Sequence, residues 1–257
     1  MDDRDVLESL SGASEAIAAL IEGTPAADRD RCVDPSIDQF AVDLAADALG
    51  VRLLLEAGCG VLSEESGRHR WDAPIRVVLD PIDGSTNCAR GLPAYGPSLC
   101  AVDADGPLAA VVANIPLRTT YAARRGHGAT KNGVPLTPTR RDRLRVVVTG
   151  DPIAELEPAV WTRLSGASAH DLCLVAEGAV DGYADVRNTQ SVWDYLGALL
   201  VLDECGGVAC ERDGRELLDF DAVADRRLLA APSAELLEEL ERALTPARPG
   251  WLARPTG

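Results

Sequence analysis

Asp80 and Asp83 sit in the run Val77-Val78-Leu79-Asp80-Pro81-Ile82-Asp83-Gly84-Ser85-Thr86-Asn87. The apolar, β-branched start of this run reads as a buried strand that delivers Asp80 at its C-terminal end. Pro81 lacks a backbone donor, so the chain is expected to leave the sheet there. Asp83 then returns to the same side, and two carboxylates share one small volume. Like charges so placed raise each other's pKa. A hard divalent cation such as Mg²⁺, which takes oxygen ligands, relieves them. Gly84-Ser85-Thr86 brings small side chains and two hydroxyls to the start of a helix, where free backbone N–H groups suit a phosphate beside the metal. An Asp-x-x-Asp alone is more often an ordinary turn; the whole string points to metal and phosphate.

Asp80 through Asn87 resembles the signature of the Mg²⁺-dependent, lithium-sensitive inositol monophosphatase family. Upstream, Leu62-Ser63-Glu64-Glu65-Ser66-Gly67 resembles the family's Gly-Glu-Glu-Ser segment. Downstream, Val192-Trp193-Asp194 through Glu204-Cys205-Gly206-Gly207-Val208 resembles its Trp-Asp helix and Gly-Gly turn. The resemblance covers most of the chain. It implies a layered α/β sandwich (αβαβα) with an N-terminal α+β half over residues 1–138, built on an antiparallel sheet and holding the signature. A C-terminal α/β half over 139–257 would hold Asp194 and substrate contacts. The implied activity is hydrolysis of a small polyol or sugar phosphate with two or three Mg²⁺ ions.

By the same resemblance, Glu64, Asp80 and the carbonyl of Ile82 would hold one ion, and Asp80, Asp83 and Asp194 a second. Glu64 with waters would hold a third. Glu64, Asp43 and the hydroxyl of Ser85 would activate and orient the attacking water. Gly84, Ser85 and Thr86 would hold the phosphate, while Asp83, Ser168, Asp185, Arg187 and Asp194 would meet the rest of the substrate. Two departures stand out. Phe40 occupies a position where the family usually has Thr, with no matching Lys upstream, so the loop feeding the third ion has changed. Ser85 replaces a usual Thr and keeps the hydroxyl. Fructose 1,6-bisphosphate, histidinol phosphate, a 3′-phosphorylated nucleotide or a specialised metabolite are alternative substrates. A catalytically silent regulatory homologue is the alternative from another class. Four converging carboxylates argue against it. A homodimer is also implied.

Each candidate has an ordinary reading beside the functional one. Asp43 would otherwise be a solvated helical carboxylate, Glu64 an exposed strand end, Asp194 a helix cap and Arg187 a salt-bridge partner in an acidic chain. Trp193 reads as packing. Glu65 is the weaker of the two glutamates, because neighbours on an extended segment point opposite ways.

The chain has 257 residues and a formal net charge of −16. That balance argues against a nucleic-acid partner, whose phosphates need clustered Lys and Arg, although acidic surfaces also serve solubility. Seven cysteines without a Cys-x-x-Cys pair give neither a disulfide framework nor a zinc site, and are expected to be reduced and mostly buried. His69, His127 and His170 show no metal-ligand spacing. No signal peptide or membrane-length apolar run is evident, so a cytoplasmic location away from membranes is expected.

Helical spacing marks Asp5–Glu22 and Asp38–Ala57, the latter carrying Asp43, with a loop over Ala26–Ser36 between them. Val61-Leu62 reads as the strand delivering Glu64. After the signature, strands are expected over Ser98–Val102, Leu108–Asn114 and Thr119–Ala123, then a hairpin turning at Asn132-Gly133. The Gly126-His127-Gly128-Ala129 pattern there reads as structural, since no helix follows to make a phosphate loop. Thr137–Asp142 is the expected linker. Beyond it strands and helices alternate, with strands at Leu144–Thr149, Gly182–Val186, Gly207–Cys210 and Arg227–Ala231. Helices are expected at Glu155–Leu164, Ser168–Glu177, Trp193–Glu204 and Ala234–Leu244, giving a mixed or parallel sheet.

Overall fold

The computed structural model describes residues 2–34, 39–150, 153, 156 and 160–244. The first helix, α1 (Asp3–Gly23), starts at Asp2, whose carboxylate accepts from the N–H groups of Arg4 and Asp5 while Asp5 reaches back to the Asp2 N–H. A one-turn helix α2 (Ala26–Arg29) follows, then the short paired strands β1 (Cys32–Asp34) and β2 (Gln39–Phe40), and then α3 (Ala41–Glu56). The expected Ala26–Ser36 loop thus contains a helical turn and a strand, and the second helix begins three residues late because Gln39 and Phe40 are extended.

Eight strands form the first sheet: β3 (Gly60–Ser63), β4 (Gly67–His69), β5 (Arg76–Asp83), β6 (Gly96–Asp103), β7 (Gly106–Asn114), β8 (Thr119–Arg124), β9 (Ala129–Lys131) and β10 (Val134–Pro135). Their spatial order is β10-β9-β8-β7-β6-β5-β3-β4, antiparallel except for β3 beside β5. The six-residue helix α4 (Ser85–Arg90) lies between β5 and β6. The second sheet has β11 (Val146–Thr149), β12 (Trp161–Arg163), β13 (Gly182–Ala184), β14 (Val208–Glu211) and β15 (Leu228–Ala231), in the order β12-β11-β13-β15-β14. Helices α5 (Ser168–Ala176), α6 (Val192–Glu204) and α7 (Ala234–Ala243) complete the fold.

Three apolar clusters explain the layering. Val6, Leu10, Ile17 and Ile21 of α1, with α3, cover one face of the first sheet, meeting Val77 and Leu79. Val78 faces the other way, into a cluster that α5 and α6 share with Cys100, Val112 and Tyr121 of the first sheet and Val148, Tyr183 and Ala230 of the second. Val147, Ala184 and Leu229 face outward and are covered by Leu236 and Leu240 of α7. The layers run α-β-α-β-α, as the resemblance implied. β5 is buried on both faces, which is why its apolar run does not alternate. Each fully buried Leu or Ile contributes roughly 1.5–3 kcal/mol.

Two further local expectations fail. Pro81 does not end β5: Asp80 pairs with Ser98 and Asp83 with Gly96, so the strand passes through a bulge at Pro81 and Ile82 and resumes. A bulge tolerates a residue without an N–H to donate. Within the expected helix Glu155–Leu164, Trp161–Arg163 is a strand, hydrogen-bonded parallel to β11, while residues 154–155 and 157–159 lie outside the described residues. The hairpin, glycine-turn and cysteine readings hold. Asn132 and Gly133 make the two-residue turn between β9 and β10, both with positive φ (52° and 75°), the geometry that favours Asn-Gly. The Gly126 and Gly128 N–H groups donate to the two carboxylate oxygens of Glu204 at 2.5 and 2.6 Å. The anion in that glycine turn is therefore a side chain of the protein itself. All seven cysteines are free, and Cys59, Cys88, Cys100 and Cys173 are buried. Among the described residues no helix is long and apolar enough to cross a membrane.

Candidate active site

Asp80 and Asp83 flank the β5 bulge, Glu64 and Glu65 follow the end of β3, Asp43 lies in the first turn of α3 and Asp194 in the first turn of α6. These six carboxylates line one cavity of about 480 Å³, together with Gln39, Ile82, Gly84, Ser85, Thr86, Gly166 and Trp193. A larger cavity of about 700 Å³ beside α6 and β14 is lined by leucines together with both acidic and basic side chains. The chemistry belongs to the smaller one.

The carboxylates press on one another. Asp80, 2 % exposed, accepts from the Ile82 N–H at 2.9 Å. Burial holds its carboxyl well above the usual range, and Glu64, Asp83 and Asp194 add to the rise. Glu64 lines the cavity while its side chain remains exposed to solvent. It is pushed up to about 8 by burial, then by Asp194 and Glu65. Asp194 accepts the Ser191 N–H at 2.6 Å and is pushed up to about 8, by burial and then by Asp83 and Asp185, against that bond.

Asp83 has a second structural role. Its Oδ1 accepts from the Ser168 N–H at 3.0 Å, and its Oδ2 from the Ala169 N–H at 2.9 Å and the His170 N–H at 3.4 Å. Ala167, at the start of α5, has no side chain able to cap that helix, so a carboxylate from the first sheet does so. Even with these donors its pKa rises to about 8, through burial and then the nearby Asp171. Asp43 is 1 % exposed. Its Oδ2 accepts the Phe40 N–H at 2.8 Å, while its Oδ1 has no partner. Phe40 offers no acceptor in return, so only half a capping box forms. Burial raises Asp43 to about 6 and Glu65 adds to this, partly offset by the Phe40 N–H and the Ser85 hydroxyl. Ser85 Oγ donates to the Ile82 carbonyl at 3.0 Å.

Among the described residues no lysine or arginine lines this cavity. Mutual repulsion, burial and an orphaned carboxylate oxygen are what hard cations with oxygen ligands relieve. The donor set fits Mg²⁺. Among the described residues no three side chains close to ligand spacing around one point, so the arrangement is a basin of carboxylates that a cation would draw inward.

Glu64, Asp43, Asp80, Ile82, Asp83, Gly84, Ser85, Thr86 and Asp194, all selected from sequence, meet in this cavity. Ser168 adjoins it through the N–H it gives to Asp83, while its hydroxyl accepts from Tyr183 at 3.1 Å. Asp185 and Arg187 do not line it, although Asp185 is near enough to act on Asp194. Asp185 is 1 % exposed, and its oxygens accept from the Arg187 N–H, the Thr189 hydroxyl and the Gln190 amide at 3.0, 2.9 and 3.2 Å. Arg187 is exposed on the same turn. Glu65 does line the cavity, because alternation stops where β3 ends at Ser63, and Trp193 both packs and lines.

Sequence reasoning passed over Gln39, Gly166 and Asn87. The Asn87 amide nitrogen donates to the carbonyls of Ala94 and Ser165, both at 2.7 Å, latching the turn before α5 onto the signature helix. Asn87 stood in the signature, but partners so remote in sequence leave no local sign. One further position sets the depth of Asp194. Gly197 follows it by one helical turn, and a Cβ there would lie 3.1 Å from Ser98 Oγ and 3.2 Å from the Leu99 carbonyl.

The model of the inositol monophosphatase family matches residues 37–247. A fructose-1,6-bisphosphatase/inositol-1-monophosphatase of Thermococcus kodakarensis is 28% identical over 208 residues, covering 79% of this chain and 81% of that protein. The Nus factor SuhB of Salmonella typhimurium is 31% identical over 226 residues, covering 79% and 84%. A solved structure of a Pyrococcus horikoshii protein, described as having similarities for inositol-1 monophosphatase, superposes with a TM-score of 0.82 at 25% identity, covering 92% and 98% of the two chains. On the extent of these matches, with the layered fold and the carboxylate cavity, the chain belongs to the inositol monophosphatase family, a family of phosphoric monoester hydrolases.

Proposed function

We propose that this chain hydrolyses the phosphate monoester of a small polyol or sugar. The observation that carries the reading is the convergence of Glu64, Asp80, Asp83 and Asp194, from three remote segments, in one cavity beside the hydroxyl of Ser85. Glu64, Asp80, Asp83, Asp194 and the Ile82 carbonyl would hold two or three Mg²⁺ ions, which supply Lewis acidity toward phosphoryl oxygens and a more acidic water. Asp43, with the Ser85 hydroxyl beside it, would take a proton from the attacking water. The Ser85 hydroxyl, held by the Ile82 carbonyl, orients that water. Gly84, Ser85 and Thr86 border the space for the phosphate. The water oxygen bonds to phosphorus, the ester P–O bond breaks, and the alcohol leaves with a proton, giving inorganic phosphate.

Phosphate release would be measured from inositol 1-phosphate, fructose 1,6-bisphosphate, histidinol phosphate and 3′-phosphoadenosine 5′-phosphate, with Mg²⁺ and with chelator. Release that chelator abolishes, and that Asp80→Asn lowers at least about 10³-fold as expected for lost transition-state electrostatics, supports the reading. Silence across the panel with the metal bound overturns it in favour of a non-catalytic role.

A further inference from the structure

We propose that Ser63 and Asp47 are positioning residues for the cation basin: the Ser63 hydroxyl ties the turn carrying Glu64 to the helix carrying Asp43, and so holds Glu64 in place for the ion. This rests on the metal-dependent reading of the same cavity. Ser63 is the last residue of β3 and is buried. A serine hydroxyl has one proton to give and two lone pairs to accept with. Here the proton goes to Asp47 Oδ1, one turn along α3 from Asp43, and a lone pair takes the Glu65 N–H at 3.3 Å. A carboxylate accepts and an N–H donates, so the hydroxyl has one orientation.

Glu64 sits inside this tie. Its own N–H donates to the Leu79 carbonyl at 3.1 Å, next to Asp80. On the far side the Gln39 amide donates to the Glu65 carboxylate, so residue 65 is held by both main chain and side chain. The turn is thereby fastened to β5, α3 and β2. With the main chain fixed, only the side-chain torsions of Glu64 remain to be ordered when an ion binds. Asp47 is the second observation. It is buried on the packed face of α3, beside Ala46 and Val51. Burying a charged group is costly unless it is paired, and its partner is a hydroxyl rather than a cation. An apolar residue would pack the helix at less cost. What the carboxylate adds is a strong acceptor for the Ser63 hydroxyl. The family segment that this stretch resembles has Gly where Ser63 stands, and glycine has no hydroxyl to give, so the tie belongs to this chain.

The test reads cation affinity without turnover. Mn²⁺ takes the same oxygen ligands as Mg²⁺, and its free-ion electron paramagnetic resonance signal disappears on binding. Groups that orient metal ligands without touching the ion contribute about ten- to hundredfold in affinity. The Ser63 tie acts through one further peptide, so Ser63→Ala is expected to weaken Mn²⁺ binding about tenfold, the low end of that range. Asp47→Asn keeps an oxygen for the hydroxyl and is expected to bind Mn²⁺ at least about threefold tighter than Asp47→Ala. In phosphate release, the Mg²⁺ concentration for half-maximal rate should rise about tenfold in Ser63→Ala, while the rate at saturating Mg²⁺ stays within about threefold of the parent's. A folded Ser63→Ala that binds Mn²⁺ within about threefold of the parent overturns the inference, whatever its stability in urea, because a merely structural tie predicts that result. So does an Asp47→Asn that binds no tighter than Asp47→Ala. If Ser63→Ala does not fold, the Asp47 pair decides. If the parent binds Mn²⁺ but hydrolyses no ester, the phosphatase reading fails and the Mn²⁺ affinities alone decide the inference. A parent that binds no Mn²⁺ overturns it outright.

Discussion

Replacing Asp43 by Asn is expected to stabilise the cation-free protein while disabling it. Asn keeps an oxygen for the Phe40 N–H and removes a charge that burial opposes. The Asp43 carboxyl is lifted from 3.8 to about 6 on folding. At about 1.4 kcal/mol per pKa unit, ionising it in the fold costs roughly 3 kcal/mol. The sign follows from linkage. A raised pKa means the folded state holds its proton longer, so the parent loses this stability as pH climbs from about 4 through 6 and loses no more above that. The variant has no such loss. Urea unfolding with chelator is therefore expected to show no difference at pH 4 and a gain of about 2–3 kcal/mol for Asp43→Asn at pH 8. For a chain of this size that is a rise of about 4–12 °C in Tm. Mg²⁺ should shrink the gap, since cations in the basin stabilise the ionised parent. Phosphate release should meanwhile fall at least about 10²-fold. Equal stability of the two proteins at pH 8, or a difference that does not change with pH, would refute the assigned cause.

Two further expectations use other parts of the structure. Asp83→Ala removes the acceptor for the N–H groups of Ser168, Ala169 and His170. Loss of a cap worth about 1–2 kcal/mol should speed their amide hydrogen exchange about five- to thirtyfold, and unchanged protection would show that α5 does not depend on Asp83. Glu204→Gln leaves one oxygen where the Gly126 and Gly128 N–H groups use two. Charge-assisted bonds of this kind suggest a loss of about 1–2 kcal/mol in urea unfolding, and a loss below about 0.3 kcal/mol would show the contact to be incidental.

What was legible in sequence was what short-range chemistry dictates. The apolar spacing of Val6, Leu10, Ile17 and Ile21 announces α1, and Asn132-Gly133 announces its turn, because each depends on residues a few positions apart. The carboxylates of the cavity were found through motif strings, not through periodicity. What was missed depended on remote partners. Pro81 stays in the sheet because β6 accommodates a bulge, which no feature of β5 reveals. Trp161–Arg163 is extended because β11 lies beside it, while its own side chains are all exposed and give no burial pattern. Asp185 was expected to meet the substrate because it falls where the family places an acid that binds sugar hydroxyls. Here the turn back through Thr189 and Gln190 encloses it.

The bare face of Gly197 works as a mechanical stop. At that point α6 rests on Ser98 and Leu99 with no side chain of its own between them. The seating of one layer on the next thereby sets how far Asp194, one turn away, reaches toward Asp80. Even a methyl group at 197 would lift the helix by tenths of an ångström, and a rigid helix passes such a shift on undiminished. The interior would tolerate so small a movement, whereas oxygens that must surround a small ion would not. Damage at this buried position should therefore register as weakened cation affinity well before it registers as unfolding.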